Sequence, residues 1–159
     1  MSSTLYAAAV LSIILAACAS PVVERPDFNG TWRLNTGRST YPKGVTPPDG
    51  RVEDIEQYDQ TLKVSVTHIA QGRTQRYTTA QSLTGSQSSN SVAGTLVTSR
   101  ASWDSGALII RSTLKTPNGT IESVDRMTVS GDAKNRTMTR EQRVLTGQGM
   151  VIIHVYEKQ

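Results

Sequence analysis

The sequence holds few residues whose chemistry points to catalysis. It contains two histidines, His68 and His154, which lie far apart in the chain. Neither has acidic partners at the spacing of a metal site, so no metal is expected. Serines are numerous, but the motif Gly-x-Ser-x-Gly is absent and no serine can be matched with a base. We therefore expect a protein that is not an enzyme and that uses no cofactor.

The sequence pattern places one acidic residue, Asp125, opposite an arginine in a predicted hairpin. If Gly131–Lys134 forms the turn of a hairpin, Met127 faces Met138 and Asp125 faces Arg140. Facing residues of a hairpin point to the same side of the sheet. Both charges are therefore predicted to point inward, next to apolar residues. Such buried pairs rarely stabilise a fold more than apolar packing does, so Arg140 is a candidate handle for a ligand.

A second hairpin, Thr95–Lys115, supplies two more candidate binding residues. In the register that best matches its apolar pattern, Trp103 faces Leu108 and Ala101 faces Ile110. A shift of one residue would place an arginine against Ile110 instead. Together with Arg140 and Asp125, the side chains of Trp103 and Leu108 are expected to line the mouth of a binding cavity.

The last strand, Met150–Glu157, is apolar on both faces, so its orientation is open. A two-residue turn before it sends one row inward: Val151, Ile153 and Val155. A turn that is one residue longer sends the other row inward: Ile152, His154 and Tyr156. We favour the first row because β-branched side chains suit a packed sheet face.

Strand signals alternate with turn signals from residue 28 onward. Turns rich in Gly, Asn, Asp and Pro separate short segments rich in Val, Ile and Thr. Ser82–Gly94 is rich in Ser, Gln, Asn and Gly and is predicted to be a loop. No run has helical periodicity. We predict an all-β fold, an antiparallel up-and-down meander closed into a barrel of about eight to ten strands, because closure removes exposed edges.

The first 23 residues carry no charged side chain, and Leu5–Ala17 is apolar apart from Ser12. This run is too short to span a bilayer, which takes about 20 apolar residues, but it fits a secretory signal. Its end, Leu15-Ala16-Ala17-Cys18, resembles the lipidation motif of bacterial lipoproteins, in which the cysteine becomes the first residue. The alternative is a plain signal peptide cleaved before Ser20.

These patterns divide the chain into a signal peptide (1–17), a lipidated tether (18–26) and a β-barrel domain (27–159). The expected location is the cell envelope, with a membrane anchor through a lipid on Cys18. Ala19 follows the cysteine, which by resemblance to the enterobacterial pattern favours the outer membrane over the inner one. A soluble periplasmic or secreted protein is the alternative. Cys18 is the only cysteine, so no disulfide can form within the chain.

The charge pattern argues against a nucleic-acid partner. The net charge is +4, from 17 basic and 13 acidic residues whose signs are interleaved along the chain. Interleaved charges are typical of a solvated surface and not of a basic stripe. The oligomeric state is left open by the sequence.

The segment Phe28–Leu34 contains the Gly30-x-Trp32 pattern and resembles the first strand of the calycin superfamily. Lipocalins and intracellular fatty-acid-binding proteins belong to this group. The domain as a whole resembles small lipocalin-like exported proteins of bacteria. The resemblance implies that Trp32 plugs the closed end of the barrel. It also implies that an arginine of a late strand, Arg140 or Arg143, lies across this tryptophan.

The sequence departs from that group in ways that bear on function. The lipocalin Thr-Asp-Tyr motif is absent, and Asn35–Gly50 has too many prolines and glycines to form the helical lid of the fatty-acid-binding proteins. Their carboxylate-binding Arg-x-Tyr falls on His154-x-Tyr156, so its arginine is missing. A fatty-acid function is therefore not carried over to this chain.

Two classes of function remain from the sequence. The first is a barrel that binds a small apolar or amphipathic ligand, which the inward charges favour. The second is a structural or protein-interaction module of the cell envelope with a filled barrel. Its support is an aromatic content of 5%, which is low for a large ligand cavity.

The lipidation motif generates the first test. In a host that processes lipoproteins, the protein should partition with membranes and carry acyl chains on Cys18. Cys18→Ser should release it to the soluble envelope fraction or leave it unprocessed, because serine cannot accept the thioether-linked lipid. Intact mass of the mature chain measures this directly, and a chain that starts at Ser20 would contradict the motif.

Overall fold

The computed structural model describes residues 24–132, 135–147 and 149–159. The signal peptide, Cys18 and most of the tether lie outside the described residues. All regular structure in the described part is β-strand, as predicted. The strands are β1 (Gly30–Leu34), β2 (Gly50–Tyr58), β3 (Thr61–Ala70), β4 (Arg73–Ser82), β5 (Gln87–Val92), β6 (Thr95–Asp104), β7 (Ala107–Thr116), β8 (Gly119–Ser130), β9 (Thr137–Val144) and β10 (Met150–Lys158).

The strands form an antiparallel up-and-down meander of ten strands that curls into a nearly closed barrel, which confirms the predicted fold class. The order is β4-β3-β2-β1-β10-β9-β8-β7-β6-β5, so β1 joins the last strand to the second. The remaining seam, between β4 and β5, is bridged by side chains. Asn90 donates to the carbonyl of Ala80 at 3.1 Å and accepts from its amide at 2.8 Å. The closure removes most of the edge that an open meander would expose.

Strand β5 corrects the prediction that Ser82–Gly94 is a loop. Its residues have weak intrinsic strand preference. It pairs along its length with β6. On the side that faces β4, its polar side chains form the hydrogen bonds to the β4 backbone. The hydroxyl of Ser88 accepts from the amide of Ser82 at 2.8 Å. A serine- and asparagine-rich strand suits this seam because short polar side chains replace the missing ladder.

The β6–β7 register is confirmed, and the β8–β9 register is wrong by two residues. Trp103 lies opposite Leu108, as predicted. In the second hairpin, however, Asp125 lies opposite Gln142, and Arg140 lies opposite Met127. The connection extends from residue 131 to 136 and is longer than the assumed turn. A shift by two preserves the facing side, so Asp125 and Arg140 still point inward but do not face each other.

Gly131 explains why the β8–β9 connection differs from a simple turn. Its backbone has φ of +95°, a conformation that favours glycine. A Cβ at this position would collide with the carbonyl of Asn135. The chain therefore folds tightly back on itself here, and this geometry sets the observed pairing.

The inward row of β10 is the one that the sequence did not favour. His154 and Tyr156 point inward, whereas Val155 faces outward. Residues 35–40, which follow β1, extend the pairing along the edge of β10. Asn35 donates to the carbonyl of Val155 at 2.8 Å, and Thr40 exchanges two backbone hydrogen bonds with Ile153.

One end of the barrel is packed solid around Trp32. This side chain is fully buried, and its indole Nε1 donates to the carbonyl of Phe28 at 2.7 Å. Phe28 in turn stacks against Trp103, with ring centroids 6.3 Å apart. Leu108 and Met127 are also fully buried. We call this the closed end.

Lys158, and neither Arg140 nor Arg143, lies over Trp32, which corrects the expectation drawn from the calycin resemblance. Its Nζ is 5.7 Å from the ring centroid. Gly30 makes room for this lysine. A Cβ on Gly30 would come within 2.7 Å of Lys158 Cε, and its φ of +121° also favours glycine. Arg143 instead pairs with Glu141 at the surface.

The packing of the closed end generates a stability prediction. Trp32→Ala should lower the free energy of unfolding by about 3–5 kcal/mol, the range for deleting a large buried aromatic side chain. Urea unfolding measures this change. In a Trp103→Phe background, the fluorescence of Trp32 should be that of a buried indole. Emission typical of water-exposed indole would contradict the position of Trp32.

Candidate functional site

A cavity of about 320 Å³ lies inside the other half of the barrel, which we call the open end. One side of its wall is apolar and comes from strands β3, β5, β6, β7, β8 and β9. These residues are Leu62, Val64, Val66, Val92, Val97, Ile110, Leu114, Ile121 and Val144. The volume is at the lower end of the range for small-molecule sites, roughly 300–1,000 Å³.

The polar wall of the cavity is organised around Glu53, whose side chain is fully buried. Its Oε1 accepts from Arg51 Nε at 2.7 Å, from Arg140 Nη1 at 3.0 Å and from Tyr156 Oη at 2.9 Å. Its Oε2 accepts from Arg140 Nη2 at 3.0 Å. Arg140 thus binds both oxygens of the carboxylate in a bidentate arrangement. We call Arg51, Glu53, Arg140 and Tyr156 the Glu53 cluster.

Glu53 is ionised in the folded protein. Burial disfavours its charge, but Arg140 and Arg51 more than compensate and lower its pKa to about 2. Burial also opposes the charge of each arginine, yet the neighbouring carboxylate raises the pKa of both. Burial, together with the Glu53 charge, raises the pKa of Tyr156, so the phenol stays protonated and donates. Each member of the cluster is therefore held in one protonation state at neutral pH.

Asp125 lies on the same polar wall but outside the cluster. Burial raises its pKa, and Arg140 acts in the opposite direction. The Gln142 side chain hydrogen-bonds its carboxyl group. Its Oδ1 is buried and has no hydrogen-bond partner among the described residues. A buried acceptor of this kind is available to a ligand that can donate a hydrogen bond.

His154 completes the polar wall next to the open end. Its ring packs edge-on against Tyr41, with centroids 5.6 Å apart. Burial, supported by the charges of Arg140 and Arg51, lowers the pKa of His154 to about 4. The imidazole is therefore neutral at pH 7. Its Nδ1 is buried and also lacks a hydrogen-bond partner in the described part of the chain.

The structure brings together only part of the site predicted from sequence. Arg140 and Asp125 both line the cavity, but Arg140 is paired with Glu53 and not with Asp125. Trp103 and Leu108 do not line it. They lie beside the β6–β7 turn, which is at the closed end, where Trp103 stacks on Phe28. The expected mouth of Trp103, Leu108 and Arg140 is therefore wrong.

The sequence reasoning missed Arg51, Glu53 and Tyr156. The inward face of strand β2 does not follow from the sequence pattern, because acidic and apolar residues occur on both of its faces. One available signal was the spacing of Arg51 and Glu53, which alternation places on the same face as the buried Ile55. When a basic and an acidic residue lie on the same face of a strand as an apolar residue, the pattern favours a buried ion pair over two solvent-exposed charges.

The described residues contain no cluster of three or more His, Cys, Asp or Glu side chains arranged to bind a metal ion. None of the described segments is a helix long and apolar enough to cross a membrane.

Comparison with solved structures supports the calycin-like fold. Secretory abundant heat soluble protein 4 from Ramazzottius varieornatus matches with a TM-score of 0.63 and 15% identity, over 88% of this chain and 99% of that one. A second heat soluble protein of this organism, crystallised from a dimer sample, gives 0.55 and 12%, over 83% and 95%. Zebrafish ileal bile acid-binding protein in complex with cholic acid gives 0.51 and 18%, over 83% and 98%.

These identities are low, so the similarity establishes a shared barrel fold and nothing finer. No protein-family model and no curated protein sequence matches the chain.

The Glu53 cluster generates a stability prediction with a defined pH dependence. Glu53→Gln removes the charge that Arg51 and Arg140 share, so the free energy of unfolding at pH 7 should fall by about 3–5 kcal/mol. The pKa of Glu53 is lowered from 4.5 to about 2. Its contribution is therefore complete above pH 4.5 and is lost as the pH falls toward 2.

The difference in unfolding free energy between wild type and Glu53→Gln should accordingly narrow over that acid interval. Urea unfolding at several pH values measures it. Glu56→Gln is the matched control, because Glu56 is exposed on the same strand and pairs only with Lys63 at 3.0 Å. A difference in unfolding free energy that does not depend on pH would show that Glu53 is not ionised in the folded state.

Proposed function

We propose that this protein is a binding barrel for one small amphipathic ligand. The observation that carries the proposal is the division of the cavity wall. Aliphatic side chains line one side, and Arg51, Arg140, Asp125 and His154 line the other, with Glu53 buried behind the two arginines. A pocket that is mostly apolar with a few fixed polar groups is the usual form of a small-molecule site.

The surface around the open end supports entry of an apolar molecule there. Among the described residues, all exposed large apolar side chains except Tyr58 lie at this end of the barrel. They are Ile69, Leu96, Ile121, Leu145, Met150 and Val151. Exposed apolar side chains that surround a cavity are typical of ligand-binding sites. The zebrafish structure that shares this fold contains cholic acid, itself an amphipathic molecule.

We further propose that the barrel is exported and held in the cell envelope by a lipid on Cys18, at the outer membrane in preference to the inner one. The support is the segment Leu15–Cys18 and the alanine that follows it. The first described residues lie at the closed end, where Arg25 is 5.2 Å from the ring centroid of Trp103. A tether at that end would leave the open end free to exchange ligand.

Filling the cavity tests the proposed function. Val97 lines the cavity, whereas its neighbour Leu96 is 57% exposed on the outside. Val97→Phe should reduce the affinity for the neutral fluorescent probe N-phenyl-naphthylamine by about tenfold or more, because the larger ring occupies the space of the ligand. Leu96→Phe is the matched control and should leave probe binding unchanged.

Fluorescence titration of the full chain with the probe gives the dissociation constants. Two results would contradict the proposal. One is a wild type that does not bind the probe, which would favour the alternative of a filled structural or interaction module. The other is an equal loss in both variants, which would place the probe on the outer surface.

A further inference from the structure

Glu53 acts as an internal anion beside the cavity, where it binds the two arginines that line it. Three side chains from three strands converge on this one carboxylate and give it four hydrogen bonds. A carboxylate has about four lone-pair sites, so its capacity is met by the protein. Both terminal nitrogens of Arg140 and the hydroxyl of Tyr156 are used in this way. The two terminal nitrogens of Arg140 are therefore already saturated by an internal carboxylate.

The polar atoms that remain include acceptors as well as donors. Asp125 Oδ1, His154 Nδ1 and Arg140 Nε are buried without hydrogen-bond partners among the described residues. The two Nη atoms of Arg51 make no hydrogen bond within the described part of the chain either, since only its Nε contacts Glu53. A ligand head group that satisfies this wall must both donate and accept hydrogen bonds.

The carboxyl of Asp125 also disfavours an anionic head group. Glu53 is the internal counter-ion of Arg51 and Arg140, whereas burial raises the pKa of Asp125. A ligand carboxylate would place a second carboxyl beside Asp125 in an interior where unpaired charge is costly. It would also lie near the unpartnered Oδ1 of Asp125, and two acceptors without a shared proton repel each other.

We propose that the ligand is an uncharged amphiphile with a single aliphatic body and a hydroxyl head group, of the class of fatty alcohols. The aliphatic body lies against the apolar side of the cavity. The hydroxyl donates to the carboxyl of Asp125 and accepts from the guanidinium side of the wall. This inference rests on the proposed function, because it names the class of ligand that the same cavity takes.

Competition between two matched molecules tests the inference in the wild-type full chain. n-Decanol and decanoate share a hydrocarbon chain length and differ in the charge of the head group at pH 7. We expect n-decanol to displace N-phenyl-naphthylamine at a concentration at least about tenfold lower than decanoate, equivalent to roughly 1.4 kcal/mol. Equal displacement, or a preference for decanoate, would overturn the inference and leave the proposed function standing. Failure of the probe to bind at all would overturn both.

Glu53→Gln should reverse this preference. The variant removes the negative charge that balances Arg51 and Arg140 and leaves one acceptor oxygen in place of two, so decanoate should bind about tenfold or more tightly than it binds wild type. Decanoate should also raise the melting temperature of the variant, because it supplies the missing counter-ion to the folded state. Glu56→Gln, on the outer face of the same strand, should keep the wild-type preference. An unchanged preference in Glu53→Gln would contradict the inference.

Asp125→Asn provides a second variant that leaves the four hydrogen bonds of Glu53 in place. It removes the carboxyl group from the wall and keeps an oxygen that can accept a hydrogen bond. Decanoate binding should strengthen by several fold, because the ligand carboxylate then no longer lies beside a second carboxyl group. The affinity for n-decanol should change much less. If decanoate gains nothing, Asp125 does not face the head group and the inference fails.

Discussion

An ionised carboxylate in the centre of the barrel is the constraint on which the rest of the structure depends. Glu53 is withdrawn completely from water, a position that costs several kcal/mol unless its oxygens are satisfied. Its partners come from both sides of the β1–β10 pairing, with Arg51 and Glu53 on β2, Arg140 on β9 and Tyr156 on β10. The cluster therefore fixes how the end of the meander meets its beginning.

The short first strand makes this arrangement possible. β1 ends at Leu34, whereas β2 and β10 extend further toward the open end. Residues after Leu34 continue along the same edge of β10, where Thr40 pairs with Ile153. Side chains of β2 and β9 can then meet across the interior beside β10. The same segment binds the backbone of Val155, whose amide donates to Ser39 Oγ at 3.0 Å, while His154 and Tyr156 point into the barrel.

The hairpins that were predicted correctly are those in which local pattern decides the register. In β6–β7 a short turn and several apolar pairs agree, so Trp103 against Leu108 could be read from sequence. In β8–β9 a longer connection, folded tightly at Gly131, moves the pairing by two residues. A shift of two residues does not change which side chains point inward. The inward position of Arg140 could therefore be predicted, although its partner could not. Glu53 is far from Arg140 in sequence, and hairpin matching cannot detect a pair between strands that are not neighbours.

The cavity follows from side-chain size along the inward rows of the barrel. Near the closed end these rows carry large residues, such as Trp32 and Met127, and no space is left between them. Two inward rows further toward the open end, β6, β7 and β8 contribute Ser99, Ser112 and Ser123 opposite one another. Three small side chains in register leave a volume that the valines and leucines of the next row do not fill. Stability and binding are thus assigned to opposite ends of one barrel, and the Glu53 cluster lies at the boundary between them.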